Sequence, residues 1–292
     1  MSTSALLQFL FSGITSGAVY AFVALAFSVT YNSSGIVNFA QGQFVMIGGM
    51  VAASVHATLG VPVFGAMVLG VAAAGLSGLI MGAGFILPML SLGEFTLILV
   101  TLGLGIVIEA LALAIWGTDP VALPSLFEVE TIRVGGAYLT IDSILIVAMI
   151  LMTLVLFSLF IRYTRWGRAM RATSIDTSVA ASLGVNVPLT IVLAFVLSAI
   201  FGGLAGVLLT PLISTGAQVG LLMTLKGFTA AVLGGIASPV GSVLGGFLLG
   251  LIEAMATGYI SSTYQNAIGL TLLILLLMVR PQGLFTRSTR QA

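Results

Sequence analysis

No Lys, Arg, Asp or Glu occurs anywhere between Met1 and Gly93. A soluble fold cannot leave so long a surface uncharged without aggregating, which excludes a water-soluble first third. Across all 292 residues only 6% are charged, against roughly 25% in soluble domains. Cysteine is absent, which excludes disulfides and thiolate metal sites. The single histidine, His56, leaves neither a histidine metal cluster nor an imidazole-based catalytic triad. The pattern GxxxxGK[ST] does not occur, since the one lysine, Lys226, is preceded by Leu225 and followed by Gly227. No GxGxxG follows a strand-like run. The chain is therefore not expected to hydrolyse ATP, to act as an enzyme, to carry a cofactor or to bind nucleic acid.

What is present is apolar: 59% of residues, in long blocks. The blocks fall at about 5–31, 44–58, 61–90, 95–116, 139–161, 189–210, 221–237, 239–258 and 264–280. A bilayer leaves backbone groups no water to bond, so such blocks must be helices unless they alternate as barrel strands, and they do not. The expected fold is all-α, a polytopic transmembrane helical bundle of about 8–10 segments that includes short or broken helices. One transmembrane domain over 1–292 accounts for the whole chain. MSTSALLQFL has no positive n-region, so the first block is expected to stay as a span.

Arg162, Arg165, Arg168 and Arg171 cluster in one loop, and Arg280, Arg287 and Arg290 in the tail. The positive-inside rule puts both clusters in the cytoplasm. The acid-rich loop at about 117–138, with Asp119, Glu128 and Glu130, then faces outward, and so does the N-terminus. Two stripes of small residues, Gly70-Ala74-Gly78-Gly82 and Gly246-Gly250-Ala254-Gly258, suit close helix packing rather than chemistry.

Three polar segments could carry function. The first, about 163–187, reads YTRWGRAMRATSIDTSVAASLGVNV. A plain topological loop would have this composition. Two short helices, the second over Ser178–Leu183 and closed by Gly184, would instead suit docking to another protein. The second, NSSGIVNFAQGQ at 32–43, is either an interfacial loop or a break between helices that lines a wet pathway. The third contains Lys226 in an apolar stretch, where it either snorkels or faces a cavity or partner. Glu109 and Glu253 also lie inside apolar blocks, as structural carboxyls or as proton relays of an ion-coupled carrier.

The run SGITSGAVYAFVALAFSVTYNSSGIVNFAQGQFVMIGG at 12–49 resembles the N-terminal signature of the high-affinity branched-chain amino acid ABC transporter permeases, in their LivH-type subunit. RYTRWGRAMRATSIDTSVAASLGVN at 162–186 is similar to the loop of that family that contacts the ATPase. KGFTAAVLGGIASPVGSVLGGFLLGLIE at 226–253 and DPVALPSLF at 119–127 match in the same order. The resemblance implies a permease in the bacterial inner membrane, importing branched-chain amino acids. Relatives are thought to import urea, amides or other amino acids. It implies four kinds of partner: a second, LivM-type permease, two cytoplasmic ATPases, a periplasmic or lipid-anchored solute-binding protein, and the amino-acid substrate. Gly167, Arg168, Arg171, Asp176, Ala180 and Gly184 would form the coupling element. Asn38, Phe39, Gln41, Gly42 and Lys226 would line or gate the pathway. Two departures stand out. A basic loop between the third and fourth spans is replaced by SLGEFT at 91–96, and Glu109 stands where the resemblance suggests an amide.

Overall fold

The computed structural model describes residues 3–127, 131–259, 261, 265–280 and 283–285. Glu128, Glu130, Arg287 and Arg290 lie outside the described residues. Each apolar block is a helix: α1 (Thr3–Ser34), α2 (Gln41–Leu59), α3 (Val63–Leu79), α5 (Glu94–Trp116), α6 (Ile141–Tyr163), α9 (Val187–Leu209), α10 (Val219–Gly234), α11 (Pro239–Tyr259) and α12 (Gln265–Val279). Among the described residues seven spans are long and apolar enough to cross a membrane, while α10 and α12 are shorter. The span that begins with α3 runs on through a π-helical turn, Ile80–Ile86, into α4 (Leu87–Met89). Pro88 follows that turn, and widening the helix just before a proline relieves the clash of its ring with the carbonyl four residues back.

The outward-assigned loop also holds a small hairpin, β1 (Thr131–Val134) and β2 (Ala137–Thr140), with Val134 opposite Ala137. Its two-residue turn is Gly135-Gly136, with φ of 59° and 88°. Both values lie in the left-handed region that a tight primed turn demands. The start of α1 is tied to this hairpin. The Gln8 side chain donates to the Tyr138 carbonyl at 3.1 Å and accepts from the Tyr138 N–H at 2.8 Å. At the same end, Val121 and Thr215 exchange backbone bonds between the loop after α5 and the one after α9.

The opposite end gathers α7 (Arg165–Ile175), α8 (Thr177–Ser182) and the α10–α11 turn. A cavity of about 160 Å³ there is lined by Asn32 and Ser33 of α1, Ile161 of α6, Arg171 and Pro239. Leu284 and Phe285 donate backbone bonds to Leu233 and Gly234, which brings the segment after α12 to this end too. The described arginines of the 162–171 cluster and Arg280 therefore share one end, and α1 starts at the other.

α1 forms the axis of the bundle, with every residue from Gly17 to Thr30 buried. It crosses α11 through glycines: a Cβ on Gly13 would lie 2.9 Å from the Leu251 Cα, and one on Gly250 would strike Gly17. α9 meets α2 the same way, Gly206 lying on the Val45 carbonyl. Both small-residue stripes lie on such contacts, Gly78 against Phe195 and Ala199 of α9, and Gly246 against Ala21 of α1. Where lipid removes the hydrophobic drive between helices, this close approach is what dispersion has left to work with. α5, α6 and α12 turn broad apolar faces outward, as Phe95, Ile106, Leu156 and Ile274 illustrate.

Gly206→Ala therefore drives a methyl into the α2 backbone, at an expected cost of about 1–3 kcal/mol. Gly103→Ala, where no atom lies within 4 Å, is expected to be neutral. Thermal unfolding of the two variants in detergent is the measurement; equal midpoints would show that the α2–α9 crossing tolerates separation.

Candidate functional site

The polar segment 32–43 is a break, and its position gives it interest. Six residues, 35–40, separate the end of α1 from the start of α2. Gln41, the first residue of α2, bonds Ser198, which lies midway along the apolar helix α9. α2 thus begins halfway along a membrane-spanning neighbour instead of at a membrane surface. Its first backbone N–H groups have no acceptor a full helical turn back and must find partners within the protein.

Local and distant groups share the work: the Gln41 and Gln43 N–H groups donate to the Asn38 and Ala40 carbonyls at 3.2 and 3.0 Å, and side chains take the rest. The Phe39 N–H donates to Thr101 Oγ1 of α5 at 3.1 Å, and the Ala40 N–H to Asn38 Oδ1 at 3.1 Å. The Gly42 N–H donates to Thr224 Oγ1 of α10 at 2.9 Å. Gln41 makes a two-way clasp with Ser198, whose Oγ donates to Gln41 Oε1 at 2.5 Å while Gln41 Nε2 donates to the Ser198 carbonyl at 3.1 Å. Gly42 lies so close to Gly220 and Thr224 that a Cβ would strike both.

Of the pathway residues expected from sequence, Asn38 and Gln41 are fully buried, and their amides hold the break in shape. Phe39 is only partly buried and packs on Phe228 of α10, ring centroids 5.3 Å apart. Two buried polar atoms here lack partners, Asn38 Nδ2 and Gln43 Oε1. Sequence reasoning missed Thr101, Ser198 and Thr224. Their only signal was a hydroxyl inside an apolar helix, which also suits a bond to the helix's own backbone.

Lys226 does not reach the break. Its Nζ forms an ion pair with Glu253 Oε2 of α11 at 2.6 Å and lies 5.1 Å from the centre of the Tyr20 ring. The same carboxylate oxygen accepts from the Tyr20 hydroxyl at 2.9 Å and from Gln265 Nε2 at 3.2 Å. Four helices, α1, α10, α11 and α12, therefore meet on one carboxylate that is 1% exposed. Glu253 Oε1 has no partner and borders a small pocket of about 30 Å³ beside Gly269. That is room for a single water.

The α7–α8 unit is capped at each junction. Thr164 Oγ1 accepts from the Gly167 N–H at 2.9 Å, and Gly167 sits against the Phe160 carbonyl with no space for a Cβ. Asp176 accepts from the Ser178 N–H, the Ser178 hydroxyl and the Val179 N–H at 2.8, 2.6 and 3.0 Å. The hydroxyl bond, then those two N–H bonds, hold its carboxyl below the usual carboxylate range. The sign follows: the cap is complete at neutral pH and is lost as pH falls through that lowered value. At the C-terminus, Val185 donates to the Ala180 carbonyl and Gly184 to the Ala181 carbonyl, both at 3.0 Å. With Gly184 at φ 82°, this is the Schellman arrangement. Ala180 and Met170 are buried while Arg168 and Arg171 are exposed.

Breaking the buried ion pair from one side should be costly. Lys226→Met alone or Glu253→Leu alone is expected to lose about 3–5 kcal/mol, because each strands the other partner. The double variant is expected to recover most of that loss. A thermal-stability cycle over the four proteins reads the coupling, and additive losses would mean the pair contributes nothing as a pair.

Comparison with known proteins covers all of these features. A family described as branched-chain amino acid transport system / permease component matches residues 9–279. The high-affinity branched-chain amino acid transport system permease protein LivH of Salmonella typhimurium is 33% identical over 96% of this chain and 96% of its own length. LivH of Escherichia coli K12 is 32% identical over the same shares. The high-affinity branched-chain amino acid transport system permease protein BraD of Pseudomonas aeruginosa is 31% identical, again over 96% of both chains. Because the match runs from α1 through the broken start of α2 and the capped α7–α8 unit to the last residue of α12, the chain belongs to the branched-chain amino acid transport permease family.

Proposed function

We propose that this multi-pass membrane protein is the LivH-type permease subunit of an ATP-driven importer in the bacterial inner membrane, carrying branched-chain amino acids. ATP is hydrolysed on two separate cytoplasmic ATPases. A second, LivM-type permease completes the pathway, and a periplasmic or lipid-anchored binding protein delivers the solute. The arginine-bearing end faces the cytoplasm under the positive-inside rule, so the hairpin end receives the binding protein.

One observation carries the reading. The α7–α8 unit exposes three apolar side chains, Ile175 at the end of α7 at 81%, and Val179 and Leu183, four residues apart on α8 and its C-cap, at 54% and 77%. They project from a rigid, doubly capped element at the water-facing end, where an apolar ridge has no reason to exist unless another protein covers it. Arg168 and Arg171 flank it and set orientation. Gly167, Asp176, Ala180 and Gly184 give the element its shape. The ridge is the coupling contact, through which closure of the ATPases pulls on α6 and α9.

The break before α2 is the pathway element. Its partly exposed aromatic is Phe39, with Phe228 beside it and Thr101 of α5 on its backbone, on a face that the second permease closes. Asn38, Gln41 and Gly42 hold that face in place, and Lys226 stiffens α10 behind it. Movement of solute follows only if the two conformations differ in how well each binds ATP, binding protein and solute.

Leu183→Asp and Ile175→Asp should leave the fold intact, since both sites are exposed. Both variants are expected to lose ATPase co-purification and to reduce uptake about tenfold or more, because truncating a buried interface anchor typically costs 2 kcal/mol or more. Amino-acid uptake by cells expressing the whole operon is the measurement. Unchanged uptake with both variants would reduce the loop to a topological anchor.

A further inference from the structure

We propose that Glu109 of α5, with Gln43 of α2, recognises the protonated amino group of the transported solute. The inference rests on the pathway reading above and narrows its substrate class. Glu109 stands in α5, where Glu94 at the first turn is the one other charged residue. Among the described residues its carboxylate has neither a hydrogen bond nor an ion-pair partner, in contrast to Glu253. An ionised group facing lipid at this depth is unfavourable, so such residues face a bundle interior or a wet cavity.

The helix geometry says which. Residues four apart on a helix form one ridge, and the ridge Thr101-Gly105-Glu109 runs along the break. Thr101 caps the Phe39 N–H. A Cβ on Gly105 would sit 3.6 Å from the Ala40 Cα and 3.9 Å from Gln43 Cγ. Glu109 is one turn further and partly buried. Val100 and Leu104 pack against the apolar cluster that also takes in Met89 and Leu90 at the end of the α3 span. On the helical wheel Glu109 lies on the opposite flank, with Leu113 and Trp116, which pack against a second cluster formed by Met46 and Met50 of α2, Ala112 and Ala217. The same break carries Phe39, which is partly buried and packs on Phe228 of α10.

Gln43 supplies the second observation. It is 3% exposed, and its Oε1 is a buried acceptor without a donor, held against Gly220 of α10. A carboxylate and an amide oxygen, both unpartnered acceptors on neighbouring helices, suit a donor that brings several N–H bonds and a positive charge. An alkylammonium does this. Urea and neutral amides bring the N–H bonds without the charge, so the site favours amino acids over them.

The test uses the complete transporter, with its ATPases, partner permease and binding protein, in proteoliposomes. Glu109→Gln is expected to lower uptake of a zwitterionic amino acid about ten- to hundredfold, the equivalent of one charge-assisted hydrogen bond. ATP hydrolysis stimulated by the loaded binding protein should persist. The chain contains no cysteine, so Glu109→Cys places a unique thiol in it. Modification with carboxyethyl methanethiosulfonate should restore uptake, and the aminoethyl reagent should not, with the treated wild-type complex as baseline. Wild-type uptake by Glu109→Gln overturns the proposal. So does equal rescue by both reagents, or a thiol that neither reagent reaches. If the unmodified complex moves no amino acid at all, the proposed function fails instead. Thiol labelling still reports whether position 109 faces water, and a position closed to water overturns the inference separately.

Discussion

A helix that starts inside a membrane must find acceptors for its first N–H groups, and everything near the break in this protein answers to that requirement. Each unpaired group in hydrocarbon costs several kcal/mol by order of magnitude, more than most single packing contacts return. The start of α2 meets this with the carbonyls of Asn38 and Ala40 and with hydroxyls from α5 and α10, and the Gln41 side chain clasps α9 beside them. The consequence is mechanical. α10 cannot move relative to α2 without undoing the Gly42–Thr224 bond and leaving a buried donor empty. The glycine crossings add to this, since a helix that slides by one residue brings a side chain to where a backbone lay. The inner helices are therefore built to move together, and a change of access falls to the boundary with another subunit and to α5, which packs more loosely around the break.

The bilayer explains how much of this was legible in the sequence. Because apolar blocks can only be helices there, all nine could be read with boundaries within a few residues, as could the end of the bundle that collects the arginines. The Schellman cap at Gly184 was legible for a similar reason, since its chemistry is local to six residues. The hairpin was not. Its strands are four residues each, with little alternation, inside a loop whose composition suits coil. Gly135-Gly136 was the one available signal.

The break was legible as a break but not in its orientation. Asn38 and Gln41 marked a polar interruption, and a polar amide in such a place either meets solute or holds backbone. Which of these it does depends on whether a neighbour offers a matching hydroxyl. Here Ser198 does, 157 positions away from Gln41 in the chain, beyond any pattern a single sequence carries. Glu253 is a parallel case. Its own helix offers no counter-ion, and its partner Lys226 lies 27 positions back on α10.

The charges in the interior sort into two kinds, paired and unpaired, and the difference bears on what each can do. A proton relay needs a carboxylate that meets water on alternate sides and gives up its proton at modest cost. Glu253 does not meet water in this arrangement: it is 1% exposed, and one of its oxygens is shared by Lys226, Tyr20 and Gln265. Separating the pair would strand a cation and an anion together in hydrocarbon, a barrier of the kind that holds structures still. Two of the three ionisable groups that an ion-coupled mechanism would need are thus committed to each other. The remaining carboxylate, Glu109, has no ion-pair partner among the described residues. Among the described residues the interior charges are thus either paired across helices, as Lys226 and Glu253 are, or without an ion-pair partner, as Glu109 is, and the paired ones act as fixed points around which α1, α10, α11 and α12 pack.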